Sequence, residues 1–273
     1  MKYIDLAKTS AELATNNLKH NIFKQNLSIS EQTAQIMKAV KEDGIYLIKN
    51  FCDKDTCNIL KSEMDRIFEA YDSKLWKDEI GAEKRAFGAD RVSAPIKNIF
   101  YNHPLIVAVR EAYYGLEDKH IIGFSMANRI IAKAGNLGSG AGWHRDSVNI
   151  RQFKTILYLT DVGEKNGAFQ YLRGTQNKQS VIEGILKHNL GHNHNRLTQE
   201  DIDNYLATGK YPLQTATGTA GTLLLVDTSG IHRGMPIQQK ERYAITNYHW
   251  IPKEKGGTGM NDRIRQLMIT ERP

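Results

Sequence analysis

The sequence contains little cysteine, no long apolar run and no cluster of basic residues. Its 273 residues include two cysteines, Cys52 and Cys57, which are too few and too close together for the disulfide framework of a small secreted protein. No apolar run approaches the length that spans a bilayer, and the first residues lack the apolar core of a secretory signal. We therefore expect a cytoplasmic protein with two buried free thiols and no membrane partner.

The charge of the chain is mildly basic and is spread along its length. There are 37 lysines and arginines against 30 aspartates and glutamates, which gives a net charge of +7. Since no basic run is interleaved with aromatic residues and no zinc-finger spacing occurs, we expect no nucleic-acid partner. The basic excess is compatible with an anionic small-molecule substrate, and equally with solubility alone. The composition does not indicate an oligomeric state.

Length and pattern predict one globular domain, residues 1–273, of mainly β structure with flanking helices. The chain is 40% hydrophobic and 25% charged, which is ordinary for a globular protein. Apolar periodicity predicts a mainly helical support over residues 30–118, preceded by an irregular polar arm. Short strands with glycine turns predict a two-sheet barrel over residues 119–252. Residues 177–215 interrupt this barrel as a lid-like insertion.

The strongest chemical signal is a set of two histidines and one aspartate in two separated segments. His144 and Asp146 are two residues apart, so on an extended strand their side chains point to the same face. His232 follows an apolar strand candidate at residues 222–226. Two imidazoles and one carboxylate leave half of an octahedral metal ion open, as in the facial triad of non-haem Fe(II) oxygenases. The H-x-D tripeptide alone is common by chance and is more often part of a solvated loop.

The residues around the triad form a more specific pattern. Residues 166–176 carry Asn-Gly and then a Gly-Thr-Gln turn, Gly-Thr-Leu-Leu-Leu-Val-Asp precedes His232, and Arg242 follows ten residues later. In this order and spacing the chain resembles the phytanoyl-CoA dioxygenase family of Fe(II)/2-oxoglutarate oxygenases over residues 30–250. It departs from the family at Gly234, where many relatives carry a hydroxyl residue, and at the end of the Gly-Thr-Gln turn, where relatives often have histidine.

The resemblance implies a double-stranded β-helix, a jelly-roll or cupin-like core, that uses Fe(II) with 2-oxoglutarate and O₂ as co-substrates. It implies that His144, Asp146 and His232 hold the iron and form the catalytic centre. Arg242 would bind the distal carboxylate of 2-oxoglutarate, because a charge-assisted fork is strong in a dry pocket. Arg129, on the strand before the motif, would be a second co-substrate contact.

A second group of histidines lies inside the predicted insertion. His188 and His192 are four residues apart, a spacing that can bind zinc on a helix, and His194 follows. Gly191 and three neighbouring asparagines argue against a helix there, and no acidic or thiol partner lies beside the histidines. We therefore interpret the segment as part of a lid or solvated loop that covers the substrate, and not as a metal site.

Three functions are open at this point. The first is a 2-oxoglutarate-dependent dioxygenase that hydroxylates a small molecule; hydroxylation is favoured over halogenation because halogenating relatives lack the carboxylate that Asp146 supplies. The second is a redox-silent cupin-like metalloenzyme, an isomerase or hydrolase, and the third is a non-catalytic small-ligand-binding protein. The complete triad argues against the third. Arg242 favours the first over the second, unless it forms a surface ion pair with Glu241 or Asp227.

Overall fold

The fold consists of two facing β-sheets and a layer of helices, seen in a computed structural model that describes residues 2–23, 27–148, 150–188, 190–251 and 262–270. The predicted domain also includes residue 1, residues 252–261 and residues 271–273, which lie outside these ranges. The strands are β1 Ile45–Ile48, β2 Trp76–Lys77, β3 Glu83–Phe87, β4 Ile122–Ile131, β5 Phe153–Tyr158, β6 Phe169–Leu172, β7 Leu213–Ala216, β8 Leu223–Asp227, β9 His232–Gly234 and β10 Glu241–Trp250. The α-helices are α1 Lys2–Phe23, α2 Glu31–Asp43, α3 Lys54–Ala70, α4 Ala89–Val92, α5 Pro104–Tyr114, α6 Lys178–Lys187, α7 Gln199–Ala207 and α8 Asp262–Leu267.

Antiparallel pairing builds one large and one small sheet. The large sheet has the strand order β1-β8-β5-β10-β4-β3-β2, and the small sheet has the order β7-β6-β9. Side chains of the two sheets meet in one apolar cluster, which includes Ile45, Leu224, Val226 and Ala244 from the large sheet and Phe169 and Tyr171 from the small one. Packing of two sheets face to face confirms the predicted jelly-roll type of core.

Helices cover the outer face of the large sheet, as the apolar periodicity predicts. Ser30 caps α2 by accepting a hydrogen bond from the Thr33 N–H, and Gly44 ends the helix at φ +83°. Asp53 caps α3 in the same way. The buried residues shared by this helical layer and the sheet include Ile36, Leu60, Met64, Ile67, Val109, Phe153, Leu157, Leu225 and Ile245. This layer supports the sheet and contributes none of the triad residues.

The amino-terminal segment differs from its prediction. Residues 2–23 form helix α1, where the sequence predicts an irregular arm. Thr9 and Leu13, four residues apart, are buried where α1 packs on α6, so tertiary packing and not intrinsic propensity accounts for the helix. Cys52 and Cys57 are free and buried as predicted. None of the helices in the described ranges has both the length and the apolar character that crossing a membrane requires.

Candidate metal centre

Backbone pairing brings the two predicted histidine ligands together. The N–H of His144 donates to the His232 carbonyl, and the N–H of His232 donates to the His144 carbonyl, both at 2.9 Å. In an antiparallel pair, directly opposed residues present their side chains on the same face. The two imidazole centroids accordingly lie 4.2 Å apart, and the His232 ring stacks on Phe169 at 5.3 Å.

Strand alternation places Asp146 beside the two imidazoles. Asp146 Oδ1 lies 3.8 Å from His144 Nε2, and Asp146 Oδ2 lies 3.9 Å from His232 Nε2. The intervening Arg145 points the other way, where its buried guanidinium donates to the carbonyls of Thr175 and Ser229. Among the described residues, the triad is the single group of three potential metal ligands, with its ligand atoms within 4.8 Å of one another.

The hydrogen bonds of the imidazoles leave the correct nitrogens for a metal. His144 Nδ1 lies 2.9 Å from the Gly142 carbonyl, and His232 Nδ1 lies 2.9 Å from the Gly230 carbonyl. Because a carbonyl can only accept, each Nδ1 carries the proton and each Nε2 keeps its lone pair. Burial lowers the pKa of His232 to about 3 and also lowers the pKa of His144. Both rings are therefore neutral, which is the form that binds metal.

A lysine that the sequence did not single out lies against the aspartate. Lys154 Nζ is 2.5 Å from Asp146 Oδ2 and 4.1 Å from the centroid of the Tyr248 ring. Burial opposes ionisation of Asp146, but the Lys154 ammonium outweighs this effect and holds the pKa of the carboxyl below its usual range. The aspartate is thus an anion inside the barrel.

Arg242 lies in the barrel interior, and no carboxylate of the described residues pairs with it. It is 5% exposed, and strand alternation puts its side chain on the same face of β10 as those of Ala244, Thr246 and Tyr248. Its guanidinium donates to the Gly167 carbonyl and to Asn128 Oδ1, and no atom of the described ranges accepts a hydrogen bond from its Nε. Within the described ranges no carboxylate lies at ion-pair distance from Arg242, so the surface pair with Glu241 or Asp227 is not formed. A buried cation of this kind fits an anionic ligand.

The acidic residue linked to Arg242 through Asn128 is already paired with another arginine. Asn128 Nδ2 donates to Glu83 Oε1 at 2.5 Å, which makes Asn128 a bridge between Glu83 and Arg242. Arg85 holds the Glu83 carboxylate with two hydrogen bonds of 2.8 Å, and Ser139 donates a third at 2.9 Å. Since Arg85 matches the charge of Glu83, the charge of Arg242 remains for a ligand.

The structure does not bring Arg129 to the site. Arg129 is paired across the strands with Tyr243, on the outer face of the large sheet, and its guanidinium binds Glu241 Oε2 at 2.8 Å. Arg242 lies on the opposite face, where Asn128 is its neighbour. Because neighbouring strand residues point to opposite faces, Asn128, and not Arg129, shares the inner face with Arg242.

The insertion borders the metal centre through its backbone and not through its histidines. The N–H of Arg145 donates to the Asn195 carbonyl, and the N–H of Leu197 donates to the Trp143 carbonyl, so residues 195–197 flank the extended segment 143–145. His192 instead contacts α1, with Nδ1 2.8 Å from Thr9 Oγ1 and Nε2 3.2 Å from a Glu12 oxygen. His188 packs on Tyr205.

The glycine-rich segment before the triad packs directly on it, which gives a test of the geometry. Gly140 has φ +89°, and a Cβ there would lie 2.3 Å from His144 Cε1. We expect Gly140→Ala to push the imidazole out of line and to weaken Fe(II) binding by about tenfold or more, as when the support of a metal ligand is lost. The matched control is Gly135→Ala, with φ +82° and no atom within 4 Å of the added Cβ. Equal Fe(II) affinities of the two variants in an anaerobic titration would show that His144 does not need this contact.

The sequence gives only weak indications of the residues near the triad and Arg242 that were not predicted. Lys154 is a charged residue inside the otherwise apolar strand Phe153–Tyr158, and alternation puts it with Ile156 and Tyr158 on one face. Asn128 and Arg129 are neighbours that point to opposite faces of β4. Which of the two faces inward is decided by the pairing of β4 with β10. Gly234, where a hydroxyl residue was expected, packs against Ser139, and a Cβ there would lie 2.9 Å from the Ser139 Cβ.

Comparison with known proteins gives one family and a set of similar folds. Residues 40–242 match the family model described as phytanoyl-CoA dioxygenase (PhyH). No curated protein matches the chain in sequence. Among solved structures, the epimerase SnoN in complex with Fe³⁺, alpha ketoglutarate and nogalamycin RO has a TM-score of 0.60 at 15% identity, covering 84% of this chain and 92% of its own.

Two further solved structures share the fold. The non-haem alpha ketoglutarate dependent carbocyclase SnoK from nogalamycin biosynthesis has a TM-score of 0.60 at 12% identity, covering 91% of this chain and 93% of its own. EctD from S. alaskensis with bound Fe has a TM-score of 0.58 at 12% identity, covering 82% of this chain and 79% of its own. At these identities the similarity establishes the fold.

Proposed function

The chain belongs to the phytanoyl-CoA dioxygenase family, and we propose from this premise that it is an Fe(II)/2-oxoglutarate-dependent dioxygenase that hydroxylates a small molecule. The observation that carries the proposal is the pairing of a complete His-Asp-His triad with a buried, carboxylate-free arginine in one barrel. The family match confirms the predicted iron and 2-oxoglutarate. When bound, they supply the oxidising power that no side chain of the protein has.

The residues present fit a divalent metal. His144 and His232 each offer a neutral Nε2, because their Nδ1 atoms donate to backbone carbonyls. Asp146 offers a carboxylate oxygen and the only negative charge of the set. Two nitrogen donors and one oxygen donor on one face are the ligand set of the facial triad, which suits iron and leaves positions open. These three residues hold and orient the metal in the proposal.

Arg242 fits the distal carboxylate of 2-oxoglutarate. It lies inside the barrel on the same face of β10 as Tyr248, which is paired across to Lys154 beside the triad. The two existing hydrogen bonds, to Gly167 and Asn128, fix the plane of the guanidinium and leave its Nε without a partner. A carboxylate is the ligand that matches such a planar donor group, because it can accept two parallel hydrogen bonds.

Proteins of similar fold are described with several activities, and hydroxylation is the reaction that we propose for this chain. SnoN is described as an epimerase and SnoK as a carbocyclase, so the fold is compatible with several oxidative outcomes. Asp146 keeps the carboxylate in the triad, which argues against halogenation. A redox-silent metalloenzyme would leave the buried charge of Arg242 without a role, and a non-catalytic binding protein would not require three converging ligands.

An anionic substrate is part of the proposal. The charged side chains described above on the inner face comprise three cations, Lys154, Arg85 and Arg242, and two anions, Asp146 and Glu83. The charge of Fe(II) balances that of dianionic 2-oxoglutarate, so these five side chains leave an excess of one positive charge. An anionic group on the substrate would balance it, because an uncompensated charge in a low-dielectric cavity is unfavourable.

A cytoplasmic location stays a prediction.

The test needs no knowledge of the substrate. We expect the metal-free protein, titrated anaerobically with Fe(II) and then with 2-oxoglutarate, to develop the visible charge-transfer band of a chelated keto acid. His232→Ala should bind neither Fe(II) nor 2-oxoglutarate in this way, because it removes one of the two neutral nitrogen donors. The exposed His120→Ala, which removes an imidazole elsewhere, should behave as the wild type.

The possible results separate the three functions. A band in the wild type and not in His232→Ala supports the proposal, and an oxygen atom gained by a turned-over substrate, measured by mass spectrometry, supports hydroxylation. Metal binding without a band would favour the redox-silent metalloenzyme. Absence of any metal binding would favour the binding protein.

A further inference from the structure

Lys154 places a positive charge beside the carboxylate of the candidate metal site, where it does not favour the binding of a metal cation. It is the second residue of β5, is 6% exposed, and contacts Asp146 Oδ2 at 2.5 Å. Two like charges repel strongly in a low-dielectric interior, so this ammonium must weaken the binding of a divalent cation at the same carboxylate. A residue that lowers metal affinity in this position calls for another role.

The two oxygens of Asp146 have different surroundings. Lys154 contacts Oδ2, which also lies 3.9 Å from His232 Nε2, while Oδ1 lies 3.8 Å from His144 Nε2 and has no contact with the ammonium. A carboxylate can bind a metal through one oxygen or through both. Bound through both, Asp146 would fill a fourth position of an octahedral ion, and too few positions would remain for the co-substrates.

We propose that Lys154 is a positioning residue that keeps Oδ2 of Asp146 off the metal, so that the aspartate binds through a single oxygen and three positions stay open. This inference rests on the proposed function, because three open positions matter only where co-substrates bind the metal. The ammonium also lies 4.1 Å from the centroid of the Tyr248 ring, a cation–π contact that restricts its movement.

The chemistry of lysine suits this role better than that of arginine. An ammonium is a compact point charge that can occupy one carboxylate oxygen, whereas a guanidinium fork binds both oxygens side by side. The backbone of Lys154 is also fixed, since β5 pairs with both β8 and β10 and its strand neighbours Phe153 and Thr155 are buried. Its amine is therefore delivered from a rigid strand and not from a loop.

The test compares Lys154→Met with the wild type, using the full chain loaded with Mn(II). Loss of the repelling charge should raise the Mn(II) affinity by about tenfold or more. Release of Oδ2 should remove one metal-bound water, so the water-proton relaxivity of the Mn(II) protein should fall by about a third, from three exchangeable waters to two. Lys38→Met, which removes an exposed lysine of α2, is the matched control and should change neither quantity.

The expected rise in Mn(II) affinity together with the expected fall in relaxivity distinguishes a positioning role of Lys154 from a role in packing alone. A residue needed only for packing would weaken Mn(II) binding when replaced, and that result would overturn the proposal. An unchanged relaxivity in Lys154→Met would overturn it as well. Lys154→Gln, which keeps a polar side chain if the methionine variant does not fold, should change both quantities in the same directions. The relaxivity does not depend on 2-oxoglutarate, so a missing charge-transfer band in the wild type would count against the proposed function alone.

Discussion

Replacement of His144 or Asp146 with alanine is expected to abolish turnover and to lower Fe(II) affinity by at least about 100-fold, more than is usual when a residue that only supports a metal ligand is lost. The two variants should differ in stability. His144→Ala keeps the ion pair between Asp146 and Lys154, whereas Asp146→Ala leaves the Lys154 ammonium buried and unpaired. The loss of one partner of a buried pair typically destabilises the folded state by about 3–5 kcal/mol.

Three measurements check this prediction. Both variants should bind no metal after anaerobic reconstitution and should consume no 2-oxoglutarate. The midpoint temperature of thermal unfolding should fall mainly in Asp146→Ala. Asp55→Ala, which removes an exposed carboxylate from the first turn of α3, serves as the control for loss of a negative charge. Full activity in either triad variant would remove that residue from the metal centre.

Replacement of Arg242 with alanine is expected to have the second largest effect. The variant should keep its Fe(II) affinity, because Arg242 contacts none of the triad residues, but it should require far more 2-oxoglutarate. Truncation of one partner of a buried, hydrogen-bonded charge pair costs about 2–5 kcal/mol of binding free energy. That loss corresponds to an increase of about thirtyfold or more in the 2-oxoglutarate concentration at half-saturation.

The control for Arg242 is built into the same sheet. Arg129→Ala removes a guanidinium from the neighbouring strand, on the outer face, where it binds Glu241. We expect the half-saturating 2-oxoglutarate concentration of Arg129→Ala to match that of the wild type. Arg242→Lys should fall between wild type and alanine, because it keeps the charge and loses the planar fork. An unchanged requirement in Arg242→Ala would place the co-substrate carboxylate elsewhere in the barrel.

The convergence of the triad side chains could be predicted from the sequence because much of its geometry is local. The spacing of His144 and Asp146 defines a shared face on any extended strand, and the pattern before His232 places that residue at the end of a buried strand. Helix α2 is equally local, since Ser30 and Gly44 cap it at the two ends that the sequence indicates. The apolar alternation of the longer strands likewise predicted a two-sheet core.

The features that the sequence did not predict depend on contacts between distant residues. The choice between Asn128 and Arg129 is decided by the register of β4 against β10, more than a hundred residues later. The role of Lys154 depends on which face of β5 meets Asp146. Helix α1 forms because Thr9 and Leu13 are buried, not because its own sequence is strongly apolar on one side. Pairing and packing of this kind are not written in any one stretch of the chain.

The insertion between β6 and β7 is joined both to the segment that carries His144 and to the first helix, and this has a consequence for chimeric proteins. Residues 195–197 hydrogen-bond to the strand of His144, while His192 is held by Thr9 and Glu12 of α1, a helix outside the range that matches the family. A chimera that exchanged residues 177–212 alone would replace the residues at both attachments. An exchange of the insertion is therefore expected to preserve the fold best when residues 2–23 are exchanged with it.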